Sequence, residues 1–407
     1  MTTAIILVAC LALLSIAFEE VIHINKAKTT LFFGCFSWLF LFIAHHGEAE
    51  QINTALNENL LDIASLWLFL VATMTFVAYL NGRGLISTIV SKVMPGKLSL
   101  KGLTILIALL GVLLSMLCDN ITATLVLIGI IQSFKLTTAE RVRLCVLAVF
   151  AINSGGVVLI TGDVTTLMIF SSGYLSIEQL LGLIIPAFAG VFTLMLLMLM
   201  YQSRTIEAEH ESGEVYRIDI FISVLFFTTI VSTMILSVMF AIPPVLTFLS
   251  GLSVMFMTGA YVNKYRYEVH LLEYVREIQF DTLMFFLGIL LIVGALKEVG
   301  VLIWVTEFYL LLSPEISSFI MGVLSSLLDN VPLTAALLKA QPELTSNQWL
   351  GLAYGVGVGG SMLVIGSAAG IVAMSRVKEL SFFQYARYLP HLFVAYAAGY
   401  LVTIYSL

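Results

Sequence analysis

The stretch SMLCDNITAT, residues 115–124, lies inside an apolar run and recurs in the second half of the chain as SSLLDNVPLT, residues 325–334. A second motif follows each copy: GGVVLITGD at residues 155–163 and GGSMLVIGS at residues 359–367. The first pair of motifs is offset by 210 residues and the second by 204. Two motifs that recur in the same order at nearly the same offset indicate an internal duplication.

The composition is that of a membrane protein. Of the 407 residues, 60% are hydrophobic and 11% are charged, and the mean hydropathy is +1.05. Soluble chains carry about twice that share of charged residues, and apolar runs of roughly 17–25 residues, enough to span a bilayer, recur along the whole chain. The sequence shows no basic face that would indicate a nucleic-acid partner.

The basic residues predict the path of the chain, because Lys and Arg collect in cytoplasmic loops. The apolar run of about residues 102–134 has basic residues at both ends, Lys97 and Lys101 before it and Lys135 and Arg141 after it. A single span cannot end on the side from which it started. The run therefore predicts a re-entrant hairpin with the Asp-Asn pair at its tip. The backbone at such a tip is irregular, and irregular backbone at membrane depth is tolerated only where protein or a water-filled cavity surrounds it.

The second half repeats this pattern in the opposite direction. We expect a second hairpin over about residues 313–341 and broken helices over about 143–174 and 347–375. The sequence thus predicts an all-α polytopic membrane protein with about ten transmembrane helices, two re-entrant hairpins and two broken helices, arranged as an inverted repeat. The first repeat takes residues 1–203, a cytoplasmic linker residues 204–216 and the second repeat residues 217–407, with both termini periplasmic.

Three carboxylates fall at membrane depth in this arrangement: Asp119, Asp163 and Asp329. An Asp at the centre of a span costs several kcal/mol to insert and usually marks an ion or substrate path. The alternative is that each carboxylate only caps the broken helix beside it. Recurrence of the Asp beside Asn, with Thr following, in both halves favours the ion path.

The polar residues around these acids suit a hard monovalent cation, which prefers oxygen ligands. Candidate ligands are carboxylate, amide and hydroxyl oxygens, namely Asp119, Asn120, Thr124, Asp163, Thr165, Thr166, Asp329, Asn330, Thr334, Ser361 and Ser367. Na⁺ is expected at the two Asp-Asn pairs. Glycines would let the backbone bend there or let helices pack closely: Gly155, Gly156, Gly162, Gly359, Gly360 and Gly366.

Exchange of Na⁺ for H⁺ is expected because the two ions compete for the same carboxylate. Burial raises the pKa of a carboxylate in general and a nearby cation lowers it, so that one Asp holds either a proton or a sodium ion. We expect Asp119 and Asp329 to alternate between the two forms and Asp163 to act as a third acidic ligand or proton carrier. The chain has no nucleotide-binding loop and no expected cofactor, so ion gradients would supply the energy.

The Asp-Asn pairs, together with GDVTT at residues 162–166, GSAAG at 366–370 and EVIHINKAK at 20–28, resemble the NhaD-type sodium/proton antiporters of the ion-transporter superfamily. The resemblance covers essentially the whole chain. It implies export of Na⁺ or Li⁺ in exchange for protons, activity at alkaline pH, a bacterial inner membrane and a homodimer. Relatives in the wider superfamily are divalent-anion/sodium symporters that move like an elevator and carry Ser-Asn-Thr at each hairpin tip. Here Asp replaces that Ser in both halves, which favours a cation.

Three other functions remain open. A sodium-coupled carboxylate or oxyanion symporter on the same fold would need cationic groups or helix N-termini near the site. An intramembrane aspartyl protease would use two buried Asp residues as acid and base, but Ile160 leaves its GxGD-type signature incomplete. A passive channel would also fit an inverted repeat.

Overall fold

The computed structural model describes residues 7–8, 11–12, 26–44, 49–85, 97–199, 205–207, 216–240, 242–265, 271–278, 280–301 and 303–406. The helices are α1 Lys26–Ala44, α2 Ala49–Gly82, α3 Leu100–Leu117, α4 Asn120–Gln132, α5 Thr138–Gly156, α6 Val164–Ser171, α7 Ile177–Leu181, α8 Ile184–Leu199, α9 Arg217–Phe240, α10 Pro244–Tyr265, α11 Leu271–Tyr274, α12 Phe280–Glu298, α13 Ile303–Leu311, α14 Pro314–Leu328, α15 Asn330–Ala340, α16 Ser346–Gly359, α17 Ala368–Arg376, α18 Phe382–Ala386 and α19 Leu389–Ser406, with a 3₁₀ turn at Gly360–Met362. Two strands, β1 Lys97–Ser99 and β2 Thr205–Glu207, pair antiparallel.

Seven segments of the described chain are long and apolar enough to cross a membrane: α1, α2, α3, α7 with α8, α10, α12 and α19. Helices are the natural form of such segments, because every backbone group must find its partner within the protein when lipid surrounds it. The predicted all-α, multi-pass membrane architecture is confirmed at this level. The count of about ten spans stays a prediction. The N-terminus and most of the predicted linker 204–216 lie outside the described residues.

The chain breaks at all four predicted places. Only Cys118 and Asp119 separate α3 from α4, and Asp329 alone separates α14 from α15. Residues 157–163 separate α5 from α6, and residues 360–367 separate α16 from α17. The first broken helix starts about five residues before its predicted bound, because a capping box formed by Thr137 and Glu140 fixes the start of α5.

Glycines allow the backbones to meet at these breaks. A Cβ atom on Gly162 would lie 2.2 Å from the Ser115 carbonyl oxygen, and one on Gly366 would lie 2.5 Å from the Ser326 carbonyl oxygen. No other residue fits at such distances without a backbone shift. The break within each broken helix is therefore packed directly against the end of the helix that precedes the Asp-Asn pair, α3 in one half and α14 in the other.

The long helices form two groups. In the first group, α1 and α2 pack against α12, and α10 packs against α2 and α9. Side chains of α1 and α2 hold α12 by its backbone: Trp38 donates to the Leu291 carbonyl at 3.0 Å and Trp67 to the Leu283 carbonyl at 2.7 Å. This group carries none of the four breaks.

The second group holds all four breaks. Here α3 packs against α5, α14 against α16, and α8 against α19. The halves also exchange contacts, since α4 packs against α17 and α15 against α6. Each helix that follows an Asp-Asn pair thus lies beside the broken helix of the other half, which brings both copies of the two motifs to one region of the protein.

Candidate functional site

Asp163 is the carboxylate on which the two halves converge. It begins α6 and accepts the backbone N–H of Thr165 on Oδ1 at 3.2 Å. On its other oxygen it accepts the side-chain amide of Asn330, with 2.9 Å between Nδ2 and Oδ2. Asp163 is 5% exposed and Asn330 3% exposed. The cross-half packing of α6 and α15 places the two side chains together.

The first Asp-Asn pair reaches the same place through Asn120. A Cβ atom on Gly156 would lie 2.7 Å from Asn120 Oδ1 and 3.3 Å from Asp163 Cβ. The Ser115 hydroxyl donates to Asn120 Oδ1 at 2.7 Å and so fixes the orientation of the amide. Asn120, Asp163 and Asn330 therefore form one buried polar centre, in which Gly156 leaves the space that a side chain would otherwise fill.

Asp119 has a different environment. It is half-buried, and it caps α4 by accepting the backbone N–H groups of Ile121 and Thr122, each at 3.0 Å. The Thr122 hydroxyl also donates to its second oxygen at 2.9 Å. This is the capping arrangement that the sequence left open as the alternative for each Asp. The cap does not exclude a cation, since each carboxylate oxygen accepts more than one bond.

Asp329 is the counterpart of Asp119 in sequence but not in conformation. Its φ angle is +68°, in the left-handed region that non-glycine residues rarely adopt, and its side chain makes no cap bond to α15. It is 5% exposed. Strained backbone of this kind persists where surrounding structure enforces it and is common at ligand sites.

The predicted hydroxyl ligands divide into two sets. Thr124 and Thr334 donate to the backbone carbonyls of Asn120 and Asn330, at 2.6 and 2.8 Å, one turn inside their helices. Thr165 and Thr166 lie in the first turn of α6 after Asp163, each 1% exposed. The hydroxyls of the first set are hydrogen-bonded within their own helices, whereas the second set lies closer to the Asp163 carboxylate.

The two serines of the second half serve the backbone. The Ser361 hydroxyl donates to the Val358 carbonyl at 2.5 Å. Ser367 caps α17 by accepting the Gly370 N–H at 3.3 Å, and it also accepts the side-chain amide of Asn153 at 3.1 Å. Sequence reasoning did not single out Asn153 or Ser115 as site residues, although Ser115 begins the duplicated motif.

The charge of the centre is negative. Among the described residues, the buried charged side chains are Asp163, Asp219 and Asp329, and no Lys or Arg is buried with them. Asp219 lies outside this centre, in α9 of the first helix group, where Arg83 pairs with it at 3.0 Å. The described chain brings no three His, Cys, Asp or Glu side chains together at metal-binding distance. A cation held at this centre would draw on amide, hydroxyl and carbonyl oxygens as well as carboxylate.

A multi-pass helical protein whose helices break around buried acids and amides is a membrane transport protein. The chain belongs to the CitMHS family, described as citrate transporters, whose family model matches residues 1–354. It is 27% identical to the Na⁺/H⁺ antiporter NhaD of Alkalimonas amylolytica over 100% of this chain and 92% of that protein. Against NhaD of Vibrio cholerae the identity is 28%, over 98% of this chain and 90% of that protein.

The similarity extends to plants. Sodium/proton antiporter 1 of Arabidopsis thaliana is 28% identical over 94% of this chain and 69% of that protein. The resemblance to NhaD-type antiporters expected from the motifs is thereby confirmed.

Proposed function

We propose that the protein is a secondary active antiporter that exports Na⁺, and also Li⁺, in exchange for H⁺. The observation that carries the proposal is the Asn330–Asp163 hydrogen bond, which sets a buried carboxylate between amides from both halves. The curated relatives named as Na⁺/H⁺ antiporters, which match the chain along its length, support the same conclusion.

The exchange rests on one place that holds either ion. A carboxylate held out of water is stabilised either by a proton or by a cation with oxygen neighbours. Na⁺ and H⁺ compete for Asp163 and Asp329. Asn120 and Asn330 supply amide oxygens to the metal ion. Asp119 orders α4 at the edge of the centre and adds charge there. Thr165 and Thr166 supply hydroxyl oxygens.

Alternating access follows from the two helix groups. A cavity of about 730 Å³ is lined by residues of α2 and α12 from the first group and of α6 and α15 from the second. Its lining includes Leu167, one turn beyond Asp163 in α6, and Ala335, in the second turn of α15 after Asn330. We propose that this cavity is the path to the centre from one side. The second group then moves against the first in an elevator-like step that opens the other side.

We propose an inverted repeat, with repeats over 1–203 and 217–407, about ten spans, and oppositely directed hairpins formed by α3 with α4 and α14 with α15. We also propose that the protein lies in a bacterial inner membrane as a homodimer with both termini periplasmic. The matched breaks in both halves support the repeat, and the bacterial relatives support a bacterial membrane.

A sodium-coupled citrate symporter is the second candidate, because the family model is described by citrate transport. An anion as highly charged as citrate needs positive partners, and in the described chain no Lys or Arg is buried with Asp163 and Asp329. The negative centre therefore favours Na⁺ as the transported ion.

The test uses proteoliposomes that hold a pH-sensitive dye, with NaCl, LiCl, KCl or sodium citrate added outside. Because the salts are added outside, Na⁺ or Li⁺ enters as H⁺ leaves, and antiport predicts a saturable alkalinisation of the lumen with Na⁺ and Li⁺. Uptake of labelled citrate without such a response would replace antiport with symport, and a flux that does not saturate would indicate a channel.

A further inference from the structure

Tyr385, in α18, holds the second helix break by its backbone. The side chain is 0% exposed, and its hydroxyl donates to the Ser361 carbonyl at 2.5 Å. Ser361 lies in the 3₁₀ turn Gly360–Met362, where α16 has ended. Leaving a buried carbonyl without a donor is costly, so a break at membrane depth needs a partner of this kind. Tyr385 supplies that partner from a segment that is itself fixed, since Glu379, between α17 and α18, pairs with Arg141 of α5.

The first half has no tyrosine at the corresponding place. The short helices α7 and α18 correspond to each other, because each follows a serine cap with a glutamine three residues later: SIEQLL at residues 176–181 and SFFQYA at residues 381–386. The two caps are 205 residues apart, close to the offset of the glycine-rich motifs. Leu180 occupies the place of Tyr385 and is equally buried. A hydroxyl from this short helix therefore reaches the break in the second half only.

Close packing connects this turn to Asp329. A Cβ atom on Gly360, the first residue of the turn, would lie 2.6 Å from the Gly366 carbonyl oxygen. A Cβ atom on Gly366 would in turn lie 2.5 Å from the carbonyl oxygen of Ser326, which precedes Asp329 by three residues. Backbones that meet without a side chain between them cannot shift independently. The turn that Tyr385 holds thus supports the end of α14, which Asp329 follows directly.

The two halves differ at their Asp-Asn pairs in the same way. Asp329 has a φ angle of +68° and does not cap α15, whereas Asp119 has a φ angle of −61° and caps α4. A left-handed conformation at a non-glycine residue persists only where the surrounding structure enforces it. The half with the strained acid is also the half in which a tyrosine holds the break.

We propose that Tyr385 is a positioning residue for Asp329. Its bond to the Ser361 carbonyl fixes the turn against which the end of α14 packs, and this support keeps Asp329 out of the capping conformation that Asp119 adopts. An acid that does not cap its helix has its oxygens available to an ion. The inference rests on the proposed Na⁺/H⁺ exchange, in which the ions compete for Asp329, and it adds the residue that places this acid.

The experiment removes one buried hydroxyl at a time from the full-length protein. Tyr385→Phe deletes the bond to Ser361 and keeps the ring. The matched control is Tyr396→Phe, because the Tyr396 side chain is also 0% exposed and donates to a backbone carbonyl, that of Phe319 at 3.0 Å, which lies inside α14 and away from the breaks. The KM for Na⁺ is measured in proteoliposomes. Backbone hydrogen exchange across residues 326–334 is measured in choline chloride without Na⁺, and the melting temperature gives the general cost of each lost bond.

A positioning role predicts that Tyr385→Phe raises the KM for Na⁺ about fivefold and speeds exchange across residues 326–334 about tenfold. Tyr396→Phe should lower the melting temperature by a similar amount and keep the wild-type KM and exchange. If Tyr385→Phe also lowers only the melting temperature, the inference is overturned. Should Tyr385→Phe not fold, Ser381→Ala, which removes the cap that starts α18, is measured in its place. A wild-type protein without a Na⁺-driven pH response would contradict the proposed function, and the exchange measured without Na⁺ would still decide whether Tyr385 positions Asp329.

Discussion

Asn330 donates a hydrogen bond of 2.9 Å to Asp163, and this contact joins the second copy of the Asp-Asn motif to the glycine-rich motif of the first half. The two residues are 167 positions apart in the chain. Neither half therefore completes the polar centre alone. A movement that separates α15 from α6 would change the surroundings of the buried carboxylate, and would thereby link the proposed binding of an ion to the packing of the two halves.

Replacing the central carboxylate should abolish exchange. Asp163→Asn keeps the size of the side chain but removes the charge for which Na⁺ and H⁺ compete, so we expect the Na⁺-driven pH response of proteoliposomes to fall at least about 100-fold. Glu178→Gln, at an exposed position in α7, removes an acid of the same charge and should transport like the wild type. Saturable Na⁺ exchange by Asp163→Asn would show that the competing acid lies elsewhere.

The amide that faces Asp163 should set the affinity for Na⁺. Asn330→Ala removes both the hydrogen bond to Asp163 and an amide oxygen, while the helix start is kept. We expect the KM for Na⁺ to rise about tenfold, which corresponds to about 1.4 kcal/mol. Initial rates across a range of NaCl concentrations measure it. An unchanged KM with a lower maximal rate would instead indicate that Asn330 acts only on the movement between states.

The space at Gly156 should be essential. A Cβ atom there would approach Asn120 Oδ1 to 2.7 Å, so that Gly156→Ala must displace the amide or the carboxylate beside it. We expect a loss of Na⁺ exchange of at least about tenfold while the protein still inserts and folds.

Gly129→Ala is the control for this substitution, because a Cβ atom at Gly129, in α4, meets nothing within 4 Å. Alanine is the better helix former, and Gly129→Ala should therefore keep transport and leave thermal stability equal or higher. If both variants transport like the wild type, the close packing at Gly156 has no bearing on the ion site.

The first helix group should depend on a buried ion pair. Asp219 is 0% exposed and accepts Arg83 Nε at 3.0 Å, the Tyr79 hydroxyl at 2.5 Å and the Tyr216 N–H at 2.9 Å. Arg83→Ala leaves this carboxylate without its cation, and we expect a loss of stability on the order of 2 kcal/mol, since Arg83 itself is partly solvated. Thermal unfolding measures the loss. Arg83→Ala combined with Asp219→Asn should recover part of it, and the KM for Na⁺ should not change in either variant.

Charge at the mouth of the cavity should affect the KM for Na⁺ more than the stability of the protein. Lys339, near the end of α15, pairs at 2.5 Å with Asp62 of α2, which is largely exposed. Such a pair contributes only about 0–1 kcal/mol, but Asp62→Asn would leave a lone ammonium beside the path of a cation. We expect a KM for Na⁺ that is about threefold higher at low ionic strength and that approaches the wild type when choline chloride is added. Asp62→Asn with Lys339→Gln should restore the wild-type KM, whereas an unchanged KM in Asp62→Asn would place the ion path away from this cavity.

Much of the architecture could be predicted from the sequence. The repeated Asp-Asn pairs predicted the helix breaks at the exact positions of Asp119 and Asp329. A polar pair within an apolar run is costly in a membrane and usually indicates a functional site. The glycine-rich motifs marked the two broken helices in the same way. Helix bounds were less accurate where side-chain caps decide them, as at Thr137 before α5.

The division of roles among the polar residues could not be predicted. Asp119 and Asp329 occupy equal places in the repeat, yet the first caps its helix and the second has a φ angle of +68°. Asn153 carried no repeat partner in the second half, where Gly357 stands at the corresponding position, and so the duplication did not point to it.

From the sequence by itself come the membrane setting, the duplication and two of the buried acids, Asp163 and Asp329, because hydropathy and repeated motifs are properties of the order of residues. Only the tertiary structure decided which acid the amides face. The helix after each Asp-Asn pair packs against the broken helix of the opposite half, and such contacts depend on how distant segments fit together in space, which no local pattern records.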